Sequence, residues 1–154
     1  MKPTWDKIWM DLAVEISKRS NDPKIKVGAV IVTADNESVL SIGYNGDEKG
    51  GRNARESMES GKSAFIHAEV NAVTKMNYVD PRERKIYLTH SPCAVCSKLL
   101  INARITEVIY RELYKFDTKG IDILMRSDIM VRQDHDYAYA SKKVERMGNE
   151  KVLV

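Results

Sequence analysis

The stretch KIYLTHSPCAVCSKLLINARITEVIYRE, residues 85–112, contains the pattern that decides the fold. Apolar and β-branched residues predict one strand over residues 85–89 and another over residues 107–112. Between them, Ser91 and Pro92 are a typical N-cap and first helical residue, which predicts a helix over residues 93–103. A strand, a helix and a second strand in this order indicate a right-handed crossover in an α/β protein.

The flanking sequence supplies more elements of the same kind. Trp5, Ile8 and Leu12 share one stripe of a helix that Thr4 can cap. The predicted elements outside the central unit are helices over residues 4–19, 67–76, 120–125 and 139–147, and strands over residues 27–32, 38–44 and 128–132. We therefore expect a three-layer α/β/α sandwich with a five-stranded mixed sheet, formed by a single domain of residues 1–154.

The composition is ordinary for a globular protein. Of the 154 residues, 43% are hydrophobic and 31% are charged, and the formal net charge is +3. This charge is too small to predict a nucleic-acid partner, although one or two cations suffice for a small phosphorylated ligand. No apolar run reaches the roughly 20 residues that span a bilayer, and the first residues lack the apolar core of a signal peptide. We expect a cytoplasmic protein with no membrane or nucleic-acid partner.

The two cysteines, Cys93 and Cys96, form a C-x-x-C pair, which in a reducing compartment is either redox-active or half of a metal site. Residues three apart on a helix share a face, and a helix start favours the thiolate form that binds zinc. His67, at the start of another predicted helix, would be a third ligand. Three protein ligands leave the fourth position to water, as in a catalytic zinc site. Glu69 would then border the same pocket and move protons.

Other interpretations use fewer of these residues. A thioredoxin-like redox pair would leave His67 and Glu69 without a role. A structural zinc site normally has a fourth protein ligand, and His90 and His135 have no motif-like spacing for that role. A zinc-stabilised binding module without catalysis also stays open.

Several segments resemble the deoxycytidylate (dCMP) deaminases of the cytidine deaminase superfamily. They are KVGAVIV (residues 26–32), GYNG (43–46), HAEVNAV (67–73), YLTHSPCAVCSKLLINARI (87–105) and VIYRELY (108–114). The H-x-E and P-C-x-x-C elements are the signature of zinc-dependent deaminases, whereas GYNG with HAExNA is more typical of the dCMP branch. The resemblance implies a cytidine deaminase-like fold and hydrolytic deamination of dCMP to dUMP and ammonia. It also implies a zinc ion on His67, Cys93 and Cys96, with Glu69 as the proton carrier.

The neighbouring branches fit less well. Free cytidine deaminases typically have a cysteine where this chain has His67. Transfer-RNA adenosine deaminases usually have a shorter segment than residues 45–67, and the deaminase domain of riboflavin biosynthesis is commonly fused to a reductase. Many dCMP deaminases also carry a cysteine in the loop after GYNG, sometimes in a second zinc site. This loop has none, so we expect one zinc per chain. Deamination of dCTP, or of another cytosine or adenine nucleoside or a single-stranded nucleic acid, is the alternative.

The resemblance also implies substrate contacts. Asn45 would bond to the sugar and the Ala68 amide to the pyrimidine carbonyl, although Asn45-Gly46 is also an ordinary turn sequence. Lys26 and Ser91 are further substrate-binding candidates, and Asn71 could brace the site.

The polar loop over residues 45–62 is long enough to indicate a functional loop. By resemblance it would bind a nucleoside triphosphate, with dCTP as activator, dTTP as inhibitor and Mg²⁺ accompanying the nucleotide. The candidate phosphate- and effector-binding residues are Gly43, Tyr44, Gly46, Arg52 and Arg55. Such regulation implies a homo-oligomer, commonly a hexamer.

Overall fold

The structure is a computed structural model that describes residues 1–135, so the helix predicted over residues 139–147 lies outside the described part. The elements are α1 (Trp5–Ser17), β1 (Gly28–Thr33), β2 (Val39–Tyr44), α2 (Ala68–Lys75), β3 (Arg84–His90), α3 (Ala94–Asn102), β4 (Ile105–Glu112), α4 (Lys119–Arg126) and β5 (Met130–Gln133). Each element predicted within the described residues is present.

The five strands form one mixed sheet in the order β2-β1-β3-β4-β5. β1 pairs antiparallel with both β2 and β3, whereas β3, β4 and β5 run parallel. The hairpin and the βαβ unit are thus joined by the β1–β3 pair, in which Ala29 lies opposite Leu88. The prediction of a five-stranded mixed sheet is confirmed.

Helices cover both faces of the sheet. On one face, α1 packs Met10 and Ala13 against Val30, Val32 and Tyr87. The other face carries α2, α3 and α4, with core residues that include Ala72, Leu100 and Leu124. Because alternate strand residues point to opposite faces, fully buried β1 supplies both layers.

Some helix boundaries differ from the sequence prediction. Thr4 caps α1 as expected, accepting a hydrogen bond from the Lys7 amide at 3.2 Å. The N-cap of α3, however, is Cys93 and not Ser91. Cys93 has extended backbone, and its sulfur accepts a bond from the Cys96 amide, so the helix begins at Ala94. The predicted N-cap at Ser91 was therefore wrong by two residues.

Gly43 lets α2 approach the end of β2 closely. A Cβ atom there would lie 2.4 Å from the Ala68 carbonyl oxygen and 2.6 Å from the Ala72 amide nitrogen, contacts that no folded backbone tolerates. The Asn71 side chain adds a second tie by donating to the Tyr44 carbonyl at 2.8 Å. Together these contacts fix the start of α2 against the sheet, and Asn71 braces the site as the sequence suggested.

Residues 47–65 form the predicted long loop, without helix or strand. Its two ends meet where Gly46 and Ile66 exchange backbone hydrogen bonds of 3.1 and 2.9 Å. Within the described residues, no helix combines the length and the apolar character that crossing a bilayer requires.

Candidate metal centre and active site

The three predicted metal ligands lie together. His67 and Cys93 are the N-caps of α2 and α3, and Cys96 lies in the first turn of α3. The Nδ1 atom of His67 lies 3.2 Å from the Cys96 sulfur and 3.6 Å from the Cys93 sulfur. All three ligand atoms fall within 4.8 Å of one another. Two helix starts that are far apart in sequence therefore converge on one point.

These residues fit a zinc ion. Tetrahedral coordination with ordinary Zn–N and Zn–S bonds places a nitrogen and a sulfur ligand about 3.6 Å apart. The two observed nitrogen–sulfur distances, 3.2 and 3.6 Å, lie close to that value. Imidazole and thiolate are also the ligands that zinc prefers over the harder divalent cations.

The two thiols differ in acidity. Hydrogen bonds from Cys96 and then from His67 lower the pKa of Cys93 to about 4. The bond to Cys93, together with burial, raises the pKa of Cys96, and the bond to Cys93 raises the pKa of His67. Cys93 is thus the more acidic of the two thiols, and metal binding favours the loss of the Cys96 proton as well.

Glu69 lies beside this cluster. Its side chain is buried, with 4% exposure, and burial raises its pKa to about 7. Because His67 has extended backbone and precedes the helix, the two side chains are not separated by the rotation expected of positions i and i+2 within a helix. Glu69 can therefore border the same cavity, with a pKa suited to acid–base chemistry near neutral pH.

The cluster opens into a cavity of about 290 Å³. Its lining includes the metal ligands His67 and Cys93, Glu69, and three of the four predicted substrate-binding residues, Asn45, Ala68 and Ser91. The remaining lining residues are Asp22, Lys24, Ile25, Val27, Arg55, Ser60, Gly61, Ser63, Phe65, His90, Tyr114 and Phe116.

Other predicted residues lie outside the cavity wall. Lys26 and Arg52 are exposed and do not line it. Gly43, Tyr44 and Gly46 serve the backbone contacts between β2, α2 and the loop ends. Arg55 does line the cavity, but its Nη1 is bound to the Asp22 carboxylate at 2.7 and 2.9 Å.

The sequence reasoning missed several lining residues. His90 ends β3, and its Nε2 lies 3.4 Å from the Glu112 carboxylate. Tyr114 and Phe116 follow β4 and pack edge to face, with ring centroids 5.6 Å apart. All three lie at the carboxyl ends of parallel strands, where open α/β sheets bind ligands, and that rule could have found them.

The segment after β4 also supports α3. The Asp117 carboxylate accepts a hydrogen bond from the Ala94 amide at 2.9 Å, so it caps the helix that carries both cysteines. The Tyr114 amide donates to the Ser91 hydroxyl at 2.7 Å. Ser91 thus holds the segment after β4 instead of capping the helix.

A mixed sheet with a His-Cys-Cys cluster at two helix starts and a buried glutamate beside it is the arrangement typical of the zinc-dependent deaminase class. The model of the cytidine and deoxycytidylate deaminase zinc-binding region matches residues 3–112. Deoxycytidylate deaminase from Homo sapiens is 35% identical over 114 residues, which cover 69% of this chain and 64% of that protein. The Saccharomyces cerevisiae enzyme is 32% identical over 148 residues, 86% of this chain and 46% of that protein.

A solved structure extends the likeness. The dCMP deaminase of cyanophage S-TIM5, crystallised with dCMP and dUMP, superposes with a TM-score of 0.73 at 34% identity. The match covers 86% of this chain and 98% of the phage protein. The chain belongs to the cytidine and deoxycytidylate deaminase family, in its dCMP deaminase branch. It spans less than two thirds of the length of the human relative.

Proposed function

We propose that this protein deaminates dCMP by hydrolysis to dUMP and ammonia. The observation that carries the proposal is the buried Glu69 carboxylate beside the His67, Cys93 and Cys96 cluster, at the wall of one cavity. The cyanophage relative, which binds dCMP and dUMP, supports the choice of substrate. The cavity volume of about 290 Å³ lies close to the lower limit of the range for small-molecule sites.

The proposed chemistry needs one metal and one proton carrier. His67, Cys93 and Cys96 would hold one zinc ion per chain, which would supply a water of lowered pKa as the nucleophile. Glu69 takes up the proton that this water loses and delivers it to N3 of the cytosine ring, which makes C4 electrophilic. Once the oxygen has added to C4, Glu69 takes the proton of the new C4 hydroxyl and passes it to the amino group, so that a carbonyl forms at C4. The C4–N bond then breaks, and ammonia leaves.

The substrate contacts follow from the cavity wall. Both hydrogens of the Asn45 amide are engaged, by the Ile25 carbonyl at 2.9 Å and the Asp22 carboxylate at 3.4 Å. Its oxygen accepts one bond, from the Val27 amide, which leaves a second acceptor position for a sugar hydroxyl. Ala68, the first residue of α2, offers a free helix-start amide to the pyrimidine carbonyl.

The phosphate contact is assigned to Lys24. It lines the cavity, where its ammonium group donates to the Met58 carbonyl. An amide carbonyl leaves the positive charge of the lysine unbalanced, whereas Asp22 balances that of Arg55. Lys26 is the alternative cation from the same segment, and Ser91 supplies a hydroxyl at the cavity wall.

The test is a direct assay of ammonia and dUMP released from dCMP, with deoxycytidine, dCTP and CMP as competing candidates. Glu69→Gln keeps the size of the side chain but cannot carry the proton. We expect the variant to bind zinc as the wild type does and to lose at least about 10²-fold in turnover. A wild-type protein that holds zinc but releases no ammonia from any of these compounds would instead indicate a zinc-stabilised binding module. Deamination of cytosine within a single-stranded oligonucleotide would indicate the nucleic-acid alternative.

We further propose that dCTP with Mg²⁺ activates the enzyme and that dTTP inhibits it, within a homo-oligomer such as a hexamer. The support is the 47–65 loop, which starts directly after the GYNG segment and carries the exposed Arg52. The measurement is a dCMP saturation curve with and without each triphosphate, together with the molar mass in solution. Hyperbolic curves that neither nucleotide moves would rule this regulation out.

A further inference from the structure

Asp22 joins three segments that are distant in sequence. Its side chain is 3% exposed and lies in the turn between α1 and β1. One carboxylate oxygen accepts from the Lys24 amide at 2.8 Å, and both accept from Nη1 of Arg55. The Asn45 amide, at the end of β2, lies 3.4 Å from the second oxygen. A single carboxylate therefore connects the turn, the sheet edge and the 47–65 loop.

The turn between α1 and β1, residues 22–27, holds the side chain of Asn45 in place. The Ile25 carbonyl accepts from its amide nitrogen at 2.9 Å, and the Val27 amide donates to its oxygen at 2.8 Å. These two bonds fix which end of the amide carries the oxygen. Both bonds depend on the backbone conformation of residues 22–27. The hydrogen bond from the Lys24 amide to Asp22 fixes the first part of this segment.

Through its ion pair with Asp22, Arg55 holds the 47–65 loop in place. Its side chain is 6% exposed, and besides Asp22 it donates from Nε to the Ser57 carbonyl at 2.9 Å and from Nη2 to the Glu59 carbonyl at 3.3 Å. The guanidinium group is thus both charge-balanced and largely occupied by fixed acceptors. This arrangement suits a brace for the loop better than a ligand for a mobile anion.

We propose that Asp22 and Arg55 form a positioning pair: they hold the Asn45 amide and the 47–65 loop against the cavity and so set the affinity for the nucleotide. The proposal rests on dCMP as the substrate. The pair touches neither the metal ligands nor Glu69 in any hydrogen bond of the described residues. It therefore acts on substrate binding and leaves the chemical step alone.

The variant Asp22→Asn removes the charge but keeps an oxygen for the Lys24 amide. Asp80→Asn is a matched control, because Asp80 also accepts from the backbone amide two residues on, at 3.0 Å, and also pairs with an arginine, Arg82. Asp80 precedes β3, whereas the cavity lies at the far end of that strand, beside His90. Both variants thus replace an arginine-paired carboxylate by an amide, and they do so at opposite ends of the sheet.

For Asp22→Asn we expect KM for dCMP to rise about tenfold, the loss that one well-formed hydrogen bond in binding represents. We expect kcat to stay within about threefold, because the variant should weaken binding of the ground state and of the transition state equally. Zinc content should be unchanged. The ratio of kcat/KM for dCMP to that for deoxycytidine should not increase, because Arg55 holds the loop and does not act as a phosphate ligand. Asp80→Asn should match the wild type in every one of these values.

The opposite outcome has a distinct signature. If Arg55 were a phosphate ligand restrained by Asp22, then Asp22→Asn would free its charge, lower KM for dCMP and increase the preference for dCMP over deoxycytidine. That result, or an unchanged KM, overturns the proposal.

Hydrogen exchange tests the brace without relying on any activity. Amides of residues 55–60 should exchange faster in Asp22→Asn than in Asp80→Asn or the wild type, and equal exchange overturns the proposal even if dCMP is not the substrate. If Asp22→Asn fails to fold, the double variant Asp22→Asn with Arg55→Gln replaces it, because it leaves no buried charge unpaired. It should show the same rise in KM and the same fast exchange.

Discussion

Gly120, in the first turn of α4, is packed against the helix start that carries the zinc ligands. A Cβ atom at this position would lie 2.2 Å from the Pro92 carbonyl oxygen, 2.4 Å from the Ser97 hydroxyl and 2.7 Å from the Cys93 carbonyl oxygen. Two of these neighbours are backbone atoms and cannot rotate away. We therefore predict that Gly120→Ala separates α4 from the start of α3.

The size of the effect follows from the overlap. To bring the closest contact of 2.2 Å to an ordinary separation, the helices must move apart by about 1 Å. Overpacking of this kind costs about 1–3 kcal/mol. For a chain of this length, that corresponds to a fall in Tm of about 4–8 °C at the middle of the range. Because the displaced atoms belong to Cys93 and its neighbour, zinc affinity should also fall, by about 10–100-fold as for other supporting residues of metal sites.

Thermal melting of the zinc-loaded protein and competition with a chromophoric zinc chelator measure the two effects. Met125→Ala, at an exposed position of the same helix, is the control and should change neither value appreciably. A Gly120→Ala protein with wild-type Tm and zinc affinity would show that α4 does not hold the start of α3. A lower Tm with unchanged zinc affinity would show that the strain is absorbed within α4.

Three further changes test other contacts of the fold and site. Asp117→Ala removes the acceptor of the Ala94 amide, so we expect a loss of about 1 kcal/mol in the free energy of unfolding and weaker zinc binding, measured by denaturant unfolding and chelator competition. In the wild type, the hydrogen bond from Arg132 lowers the pKa of Asp6, and Asp6→Asn removes this ion pair. The pair stabilises the fold above the ordinary carboxyl pKa, and this stabilisation is lost as the pH falls through the pKa of Asp6 in the folded protein. The difference in Tm between wild type and variant should therefore be largest at neutral pH and become small below about pH 4. Removal of zinc by a chelator should lower the free energy of unfolding, and with it Tm, by an amount that grows with the zinc concentration of the reference sample: about 4 kcal/mol at a thousandfold excess over Kd. An unchanged Tm would show that the cluster does not bind the ion.

Local pattern was enough to predict the elements and the clustering of His67, Cys93 and Cys96. The βαβ unit over residues 85–112 combines period-2 strands with a helix start marked by Ser91 and Pro92, and these signals depend on short stretches of sequence. His67, Cys93 and Cys96 could be identified because zinc ligation restricts the residue types so strongly. The helix start itself was misplaced, because the Cys93 sulfur competes with the Ser91 hydroxyl for the capping role, and the sequence does not show which one the chain uses.

The cavity wall could not be predicted in the same way. Asp22 looks like a helix terminator in the sequence, since its partner Arg55 is 33 residues away and no periodic pattern connects them. Arg52 and Arg55 look equivalent in the sequence, yet one is exposed and the other is buried in an ion pair. Which cation of a polar loop turns inward depends on a carboxylate contributed by another segment, and that is a property of the fold.

Glu69 combines both kinds of information. As the second residue of α2 it lies at the positive end of a helix, which favours a carboxylate by about 0.3–1 kcal/mol. Burial has the opposite effect: a pKa of about 7, against the ordinary 4.5, corresponds to about 3 kcal/mol in favour of the protonated form. Burial is therefore the larger of the two effects. The sequence supplies a glutamate beside a metal ligand, and the closing of α2 over the sheet, permitted by Gly43, buries its carboxyl group. The proton affinity that an acid–base group needs near neutral pH thus comes from the packing of this helix start.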